Sequence, residues 1–246
     1  WLPFGGGTPG PRFLIPALPF LAIGLAFAYQ RLPALTLGLA GENGAAAPGS
    51  QKVAWSPCFK QIGPFECGTV QVPLDYDTQR GTISIAVARL PATDPTQRIG
   101  SLFLNPGGPG GSGIDFLLGA GPFLYSDDVR AKFDLVGFDP RGIIRSTAFR
   151  CFGNPMQWEP YFTPFPFPFT SAEEALWITA DRYLDAACDQ RGGAIGDHMS
   201  TANVARDLDL LRQAVGDEQL TYAGYSYGSF LGTTYANLFP DKVRAV

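Results

Sequence analysis

Histidine is nearly absent from this chain, with His198 the only one, and methionine occurs twice. A single imidazole and four cysteines without a C-x-x-C pair make a zinc site a poor expectation, and no other metal or cofactor is expected. Lysine and arginine form no block. The 18 basic and 22 acidic residues leave a net charge of −4, without the basic footprint that nucleic acid or an anionic membrane surface would need. No Gly-Lys-Ser/Thr follows a glycine-rich loop, which excludes a phosphate-binding P-loop. No internal repeat is visible, and 46% apolar residues against 16% charged is too apolar for disorder.

What is plentiful is glycine (30) and proline (22), residues of sharp turns. At 246 residues the chain is long enough to bury one sizeable core. The cysteines are Cys58, Cys67, Cys151 and Cys188, which allow three pairings. Proximity favours Cys58 with Cys67 and Cys151 with Cys188 if the chain is exported. Four buried thiols in a cytosolic protein is the alternative.

Residues 1–50 read as a leader and spacer outside the fold. Phe13 to Tyr29 is almost wholly apolar between Arg12 and Arg31. As a helix this run would extend only ~25 Å, short for a bilayer core, and Pro16 and Pro19 weaken it further. The small residues Gly44–Ser50 suit a cleavage site or linker. A membrane anchor or translated upstream sequence are the alternatives.

From Trp55 onward, short β-type runs dominate. Strands are expected at Cys67–Val72, Thr82–Ala88 (half-exposed, by its strict alternation), Ser101–Leu104, Phe133–Phe138 and Leu220–Ala223. Gly81 suits a hairpin turn between the first two. Helices are expected at Ser171–Asp189, with Ser171 as N-cap and Glu173 and Glu174 in the first turn, at Thr201–Val215 and at Ser229–Leu238. Residues 150–170 are irregular, and the phenylalanines of Pro164–Phe169 are expected to pack over a pocket mouth. With a further helix between the third and fourth strands, this order gives an α/β fold, a mostly parallel sheet after an antiparallel opening pair.

Chemistry enters at Gly224-Tyr225-Ser226-Tyr227-Gly228. A G-x-S-x-G pentad between a strand and a helix projects a serine from a strained turn, with the helix N-terminus favouring negative charge beside it. A serine hydroxyl also needs donors for the oxyanion it generates. The loop Asn105-Pro-Gly-Gly-Pro-Gly-Gly-Ser-Gly113 follows the third strand, where backbone N–H groups can face a ligand. Pro106 and Pro109 have no N–H, so Gly107, Gly108, Gly110 or Gly111 must donate. Gly107 and Gly108 are the expected donors, together with the N–H of Tyr227.

These two motifs, with Asp139-Pro-Arg-Gly142 and Ala205-Arg-Asp-Leu-Asp209, resemble the secreted tripeptidyl aminopeptidases of actinobacterial type, within the prolyl iminopeptidase group of α/β-hydrolases. The resemblance covers roughly residues 55–246. It implies an α/β-hydrolase fold, a serine exopeptidase acting on free N-termini, a Ser–Asp–His triad and export to a secreted or cell-envelope location. Residues 51–246 would then be the N-terminal portion of the catalytic domain, ending after the nucleophile helix.

Three features depart from the group's pattern. Prolyl iminopeptidases usually carry His-Gly-Gly-Pro-Gly where Asn105-Pro106 stands, which favours the tripeptidyl branch. Ile144 replaces the second glycine of Gly-x-Gly-x-Ser after Asp139-Pro-Arg, and a β-branched residue at positive φ is strained. A shifted loop is one way out of that strain. The family's triad Asp and His fall beyond Val246. His198 precedes the serine, against the triad order of this fold, and is expected at the surface or at the start of a helix. Asp207 and Asp209 are expected to be exposed or salt-bridged. Asp139 and Arg141 are expected to support the loop beside the site through a carboxylate–guanidinium contact.

The resulting expectation is an exported serine aminopeptidase working through an acyl-enzyme on a peptide or small acyl substrate. No nucleic-acid partner is expected, and no membrane partner beyond an N-terminal signal or anchor. The stretch by itself is expected to be inactive. The alternatives are an esterase or lipase using the same nucleophile, and a non-catalytic product. The latter would leave a long unpaired hydrophobic edge at the strand before Ser226.

Overall fold

The computed structural model describes residues 51–246. The expectation of a leader and spacer over 1–50 lies outside the described residues. Two compact units are present, one built from residues up to Phe149 and from Ala194 onward, the other from Arg150–Gly193.

The first unit is a seven-stranded sheet flanked by helices. Its elements are β1 (Ser56–Cys58), β2 (Phe65–Pro73), β3 (Thr82–Leu90), β4 (Gly100–Asn105), α1 (Gly113–Leu124), α2 (Asp127–Lys132) and β5 (Phe133–Phe138). After the second unit come α4 (Thr201–Val215), β6 (Leu220–Gly224), α5 (Tyr227–Leu238) and β7 (Val243–Ala245). The strand order is β1-β2-β3-β5-β4-β6-β7. The β1–β2, β2–β3 and β3–β5 pairs are antiparallel, and the β5–β4, β4–β6 and β6–β7 pairs are parallel. β2 and β4 to β7 therefore run one way and β1 and β3 the other. The sheet is mixed with mostly parallel strands.

β3 is not half-exposed. Its strict alternation sorts side chains between two cores: Ile83, Ile85 and Val87 join one, with α4 and α5, while Ala86, Ala88 and Leu90 join the other, with α1. A buried strand alternates here because its two faces need different sizes, branched on one and mostly methyl on the other. β4 is buried at every position and β5 at all but its first, as expected for strands covered on both faces. The hairpin at Gly81 (φ 71) is an eight-residue connection, closed by the Leu74 N–H donating to the Gly81 carbonyl at 3.0 Å.

Nor does the secondary structure stop at α5. β7 follows it and pairs with β6 through Leu220 with Val243 and Thr221 with Ala245. The strand before Ser226 is thus flanked by β4 and β7 and is not the expected unpaired edge.

The second unit consists of a 3-10 segment, Pro155–Tyr161, and α3 (Ser171–Arg191). The N-cap of α3 is Thr170, not Ser171. Its hydroxyl accepts from the Glu173 N–H while Glu173 reaches back to the Thr170 N–H, a reciprocal capping box. Cys151 is bonded to Cys188 here, and Cys58 to Cys67 in the first unit. Aromatic rings bind the unit internally: Phe152 stacks on Tyr183 at 5.8 Å and Phe167 on Trp177 at 6.3 Å, while Phe169 is 88% exposed. Among the described residues, no helix is long and apolar enough to cross a membrane, and no acidic, His or Cys cluster could hold a metal ion.

Candidate active site

Ser226 stands between the end of β6 and the first turn of α5, with φ 54 and ψ −122 and its side chain exposed. A non-glycine residue in this region carries ~1–3 kcal/mol of strain and persists only where its surroundings over-determine it. Those surroundings are explicit. The Tyr225 N–H donates to the Asn105 carbonyl at 3.0 Å, the Gly228 N–H to the Tyr225 carbonyl at 2.8 Å, and the Tyr222 hydroxyl to the Gly228 carbonyl at 2.8 Å. The two glycines of the pentad permit this closeness. A Cβ on Gly224 would lie 2.3 Å from the Gly228 carbonyl oxygen, and one on Gly228 would lie 2.5 Å from that of Asn105.

The Asn105–Gly113 loop runs directly against this turn. A Cβ on Gly107 (φ 88) would lie 2.4 Å from the Tyr225 carbonyl oxygen and 2.7 Å from the Tyr227 nitrogen. The expectation that Gly107 donates to an oxyanion is corrected by its own hydrogen bond. Its N–H is held by the Asn105 side-chain oxygen at 2.8 Å, and the Gly111 N–H by the Gly107 carbonyl at 2.9 Å. The N–H groups of Gly108 and Gly110 make no hydrogen bond among the described residues. Tyr227, as the first residue of α5, has no helical acceptor for its N–H. The N–H groups of Gly108, Gly110 and Tyr227 are thus unused among the described residues.

Asp139 and Arg141, expected to pair beside the site, take different partners: Asp139 holds the end of the glycine loop and Arg141 holds Asp207 and three carbonyls. Asp139 is fully buried at the end of β5 and accepts from the Ser112 hydroxyl (2.5 Å), the Ile114 N–H (3.3 Å), and the Arg145 N–H (3.2 Å) and guanidinium (3.4 Å). Ser112 also N-caps α1 by accepting from the Asp115 N–H. Asp139 therefore ties the last turn of the glycine loop to the sheet. Burial pushes its carboxyl above the ordinary range, with the Ser112 hydroxyl and Arg145 charge pulling back.

Arg141 turns away to a bidentate pair with Asp207 on α4, at 2.7 and 2.6 Å. It also donates to the carbonyls of Leu74, His198 and Pro73. Asp207 is 1% and Asp209 9% exposed, so both are buried partners and neither is a surface residue. Burial pushes the Asp207 carboxyl upward, against the hydrogen bonds and charge of Arg141 and the Tyr76 hydroxyl. Asp209 holds Arg212 and the Tyr235 hydroxyl, joining α4 to α5.

Ile144 has φ 29 and is 40% exposed. The loop has not shifted to relieve it; the isoleucine occupies the left-handed conformation that suits glycine. His198 ends the 3-10 turn Ala194–His198 just before α4. Its carbonyl accepts from Arg141 and from the Asn203 side chain, and no hydrogen bond joins it to Ser226.

Two residues here have contacts that the motifs did not point to. Asn105, read from the sequence only as the head of the glycine loop and as a departure from His-Gly-Gly-Pro-Gly, supplies both its carbonyl to Tyr225 and its side-chain oxygen to Gly107. Thr201 meets the Tyr227 hydroxyl at 2.5 Å, a contact that spans 26 residues of sequence and is invisible there. At the other end of β6, beside Gln219, an open polar depression of ≈ 860 Å³ is lined by both signs of charge, among them Lys52, Asp217 and Lys242. It is not part of the Ser226 site.

The alpha/beta hydrolase fold family matches residues 100–246. The chain is 41% identical over 206 residues to serine protease Hip1 of Mycobacterium tuberculosis, covering 80% of this chain and 39% of that protein. It is 38% identical over 199 residues to a tripeptidyl aminopeptidase of Streptomyces coelicolor, covering 78% and 36% respectively. It is 40% identical over 213 residues to carboxylesterase B of Mycobacterium tuberculosis, covering 79% and 40%. The chain spans about two fifths of the length of these relatives. With a family match running from β4 through the serine turn to β7, on the mixed sheet described above, the chain belongs to the α/β-hydrolase superfamily.

Proposed function

We propose that this chain carries the nucleophile and oxyanion pocket of an exported serine hydrolase that cleaves short peptides or single residues from free N-termini. The observation that carries the reading is Ser226 itself: a strained, exposed serine (φ 54, ψ −122) at a strand–helix turn, followed by the unused Tyr227 N–H, with the glycine loop that holds Gly108 packed against the same turn through Gly107. In this mechanism the Ser226 oxygen attacks the scissile carbonyl and its proton passes to a general base. The N–H groups of Gly108 and Tyr227 hold the oxyanion, the amine leaves with that proton, and water then hydrolyses the acyl-enzyme. The base and its orienting carboxylate are assigned to residues following Val246, because His198 precedes the serine, against the triad order of this fold, and makes no hydrogen bond to Ser226. The disulfides Cys58–Cys67 and Cys151–Cys188 support an oxidising, extracytoplasmic setting.

The aminopeptidase reading draws support from the likeness to the tripeptidyl aminopeptidase and to the serine protease. The likeness to a carboxylesterase, of similar identity, favours a second reading as an ester hydrolase with the same nucleophile. A fluorophosphonate should label Ser226 in the full-length natural protein, and a panel of tripeptidyl amides, aminoacyl amides and acyl esters should separate the two readings. Absence of label on Ser226 would refute both. Turnover of esters alone would refute the aminopeptidase.

A further inference from the structure

Helix α5 begins without the usual fastening. Ser226 occupies its N-cap position, but its side chain makes no capping hydrogen bond and its backbone is strained. A strained residue relaxes if its neighbours let it, and the rigid peptide plane joining Ser226 to Tyr227 would rotate with it. That plane carries the Tyr227 N–H, one of the two donors assigned to the oxyanion.

Within α5 the Ser229 N–H donates to the Ser226 carbonyl at 3.0 Å and the Phe230 ring packs on Tyr227 at 5.9 Å, and a hydrogen bond from another helix restrains the Tyr227 side chain. Its hydroxyl meets the Thr201 hydroxyl at 2.5 Å. Thr201 is the first residue of α4, and Ser200 caps that helix by accepting from the Asn203 N–H at 3.2 Å. The segment just before it is fixed in turn: the His198 carbonyl accepts from the Arg141 guanidinium at 2.9 Å, and Arg141 is locked to Asp207 on α4 itself. Both hydroxyls are therefore held, Thr201 by a buried ion pair behind it and Tyr227 through a side chain with only two rotatable bonds.

Resting on the serine-hydrolase reading above, we infer that Thr201 is a positioning residue for the reaction. Through the Tyr227 hydroxyl it holds the Ser226–Tyr227 peptide plane so that the N–H points at the developing oxyanion. It does not touch substrate. Oxyanion donors act within a narrow distance window, and removing one costs ~100–1000-fold in kcat. Loosening one without removing it should cost less.

The test uses the full-length protein with Thr201→Val, Thr201→Ser, Tyr227→Phe and the Thr201→Val/Tyr227→Phe double variant, on one ester and one peptide amide. Thr201→Val and Tyr227→Phe should each lower kcat ~10-fold, with KM changed less than about twofold, because the lost interaction matters in the transition state. Thr201→Ser should recover most of the rate. The double variant should be no slower than either single one, since both remove the same contact. Thermal melts monitor folding in parallel, and the kcat loss should appear in the fully folded protein. Wild-type kcat in Thr201→Val and Tyr227→Phe overturns the inference. So does an additive loss in the double variant, no rescue by serine, or a rate loss that only tracks the folded fraction. If wild-type Ser226 is not labelled by fluorophosphonate, the hydrolase reading fails first, so the two failures are distinguishable.

Discussion

Replacing Arg141 with methionine is expected to destabilise the first unit far more than replacing Asp207 with asparagine, even though the two residues form one ion pair. Arg141 is 1% exposed and makes five hydrogen bonds, two to the Asp207 carboxylate and three to the carbonyls of Pro73, Leu74 and His198. Methionine fills much of the volume but donates nothing. It leaves the buried Asp207 carboxylate with only the Tyr76 hydroxyl, and orphans one buried and two part-buried carbonyls in one step. Breaking a buried pair from one side costs ~3–5 kcal/mol, and each orphaned carbonyl adds ~1 kcal/mol or more. The sum approaches the whole stability of an ordinary domain, ~5–15 kcal/mol. Asp207→Asn keeps an acceptor for Arg141 and leaves the three carbonyl bonds intact, so ~2–3 kcal/mol is expected. Denaturant unfolding of the full-length protein, followed by intrinsic fluorescence, reads both values. A loss below about 1 kcal/mol in Arg141→Met would refute the reasoning, because it would mean that the carbonyls find water or that the loop does not depend on the guanidinium. The substitution should also impair activity in protein that remains folded, because Arg141 holds the His198 carbonyl and hence the start of α4 behind Thr201.

Ser226→Gly should abolish fluorophosphonate labelling yet raise stability by about 1 kcal/mol in thermal melts, since glycine adopts φ 54 without the strain serine carries. Ile144→Gly should likewise raise the melting temperature, by an amount equivalent to ~1 kcal/mol less the extra entropy of glycine in the unfolded chain; a drop would show that the exposed isoleucine makes a stabilising contact. Removing Cys151–Cys188 (separation 37) should cost ~4 kcal/mol and removing Cys58–Cys67 (separation 9) ~2.5 kcal/mol on the loop-closure account, with limited proteolysis of the first variant starting within residues 150–193. For pH, burial holds the folded Asp139 carboxyl above its unfolded value. Its contribution to stability is therefore fully present below the ordinary carboxylate range and is lost as pH rises through the raised folded value. Asp139→Asn should remove that decline, so the wild-type-minus-variant difference in melting temperature should shrink as pH rises from 4 to 7; a constant difference would count against a raised carboxyl.

The strand–helix turn at Ser226 and the glycine loop were readable because both rest on short-range constraints. Only glycine tolerates the close approach at positions 224 and 228, and only a polar residue between them has chemistry to offer. β5 was legible to the residue because the short run Leu135–Phe138, bounded by Asp139-Pro140, has few other readings. Helix α1 was expected somewhere between β4 and β5 but without bounds. Gly113–Leu124 contains Gly119, Gly121 and Pro122, so local preference opposes a helix, and what holds it is the burial of Ile114 and Leu117 against the sheet. β3 misled for a related reason: alternation reports that two faces differ, not that one of them is wet.

The sequence by itself determined which chemistry is available: a serine on a glycine-bounded turn and a loop rich in N–H groups that no proline blocks. Those follow from side-chain type and from spacings of a few residues. Only the tertiary structure decided who partners whom. It sent Asp139 to Ser112 and Arg145, Arg141 to Asp207, and Thr201 to Tyr227. Each of those contacts joins residues on different elements or on opposite sides of a loop, where direction and distance depend on how the sheet and helices pack. Residue type names a donor or an acceptor, and packing selects its partner.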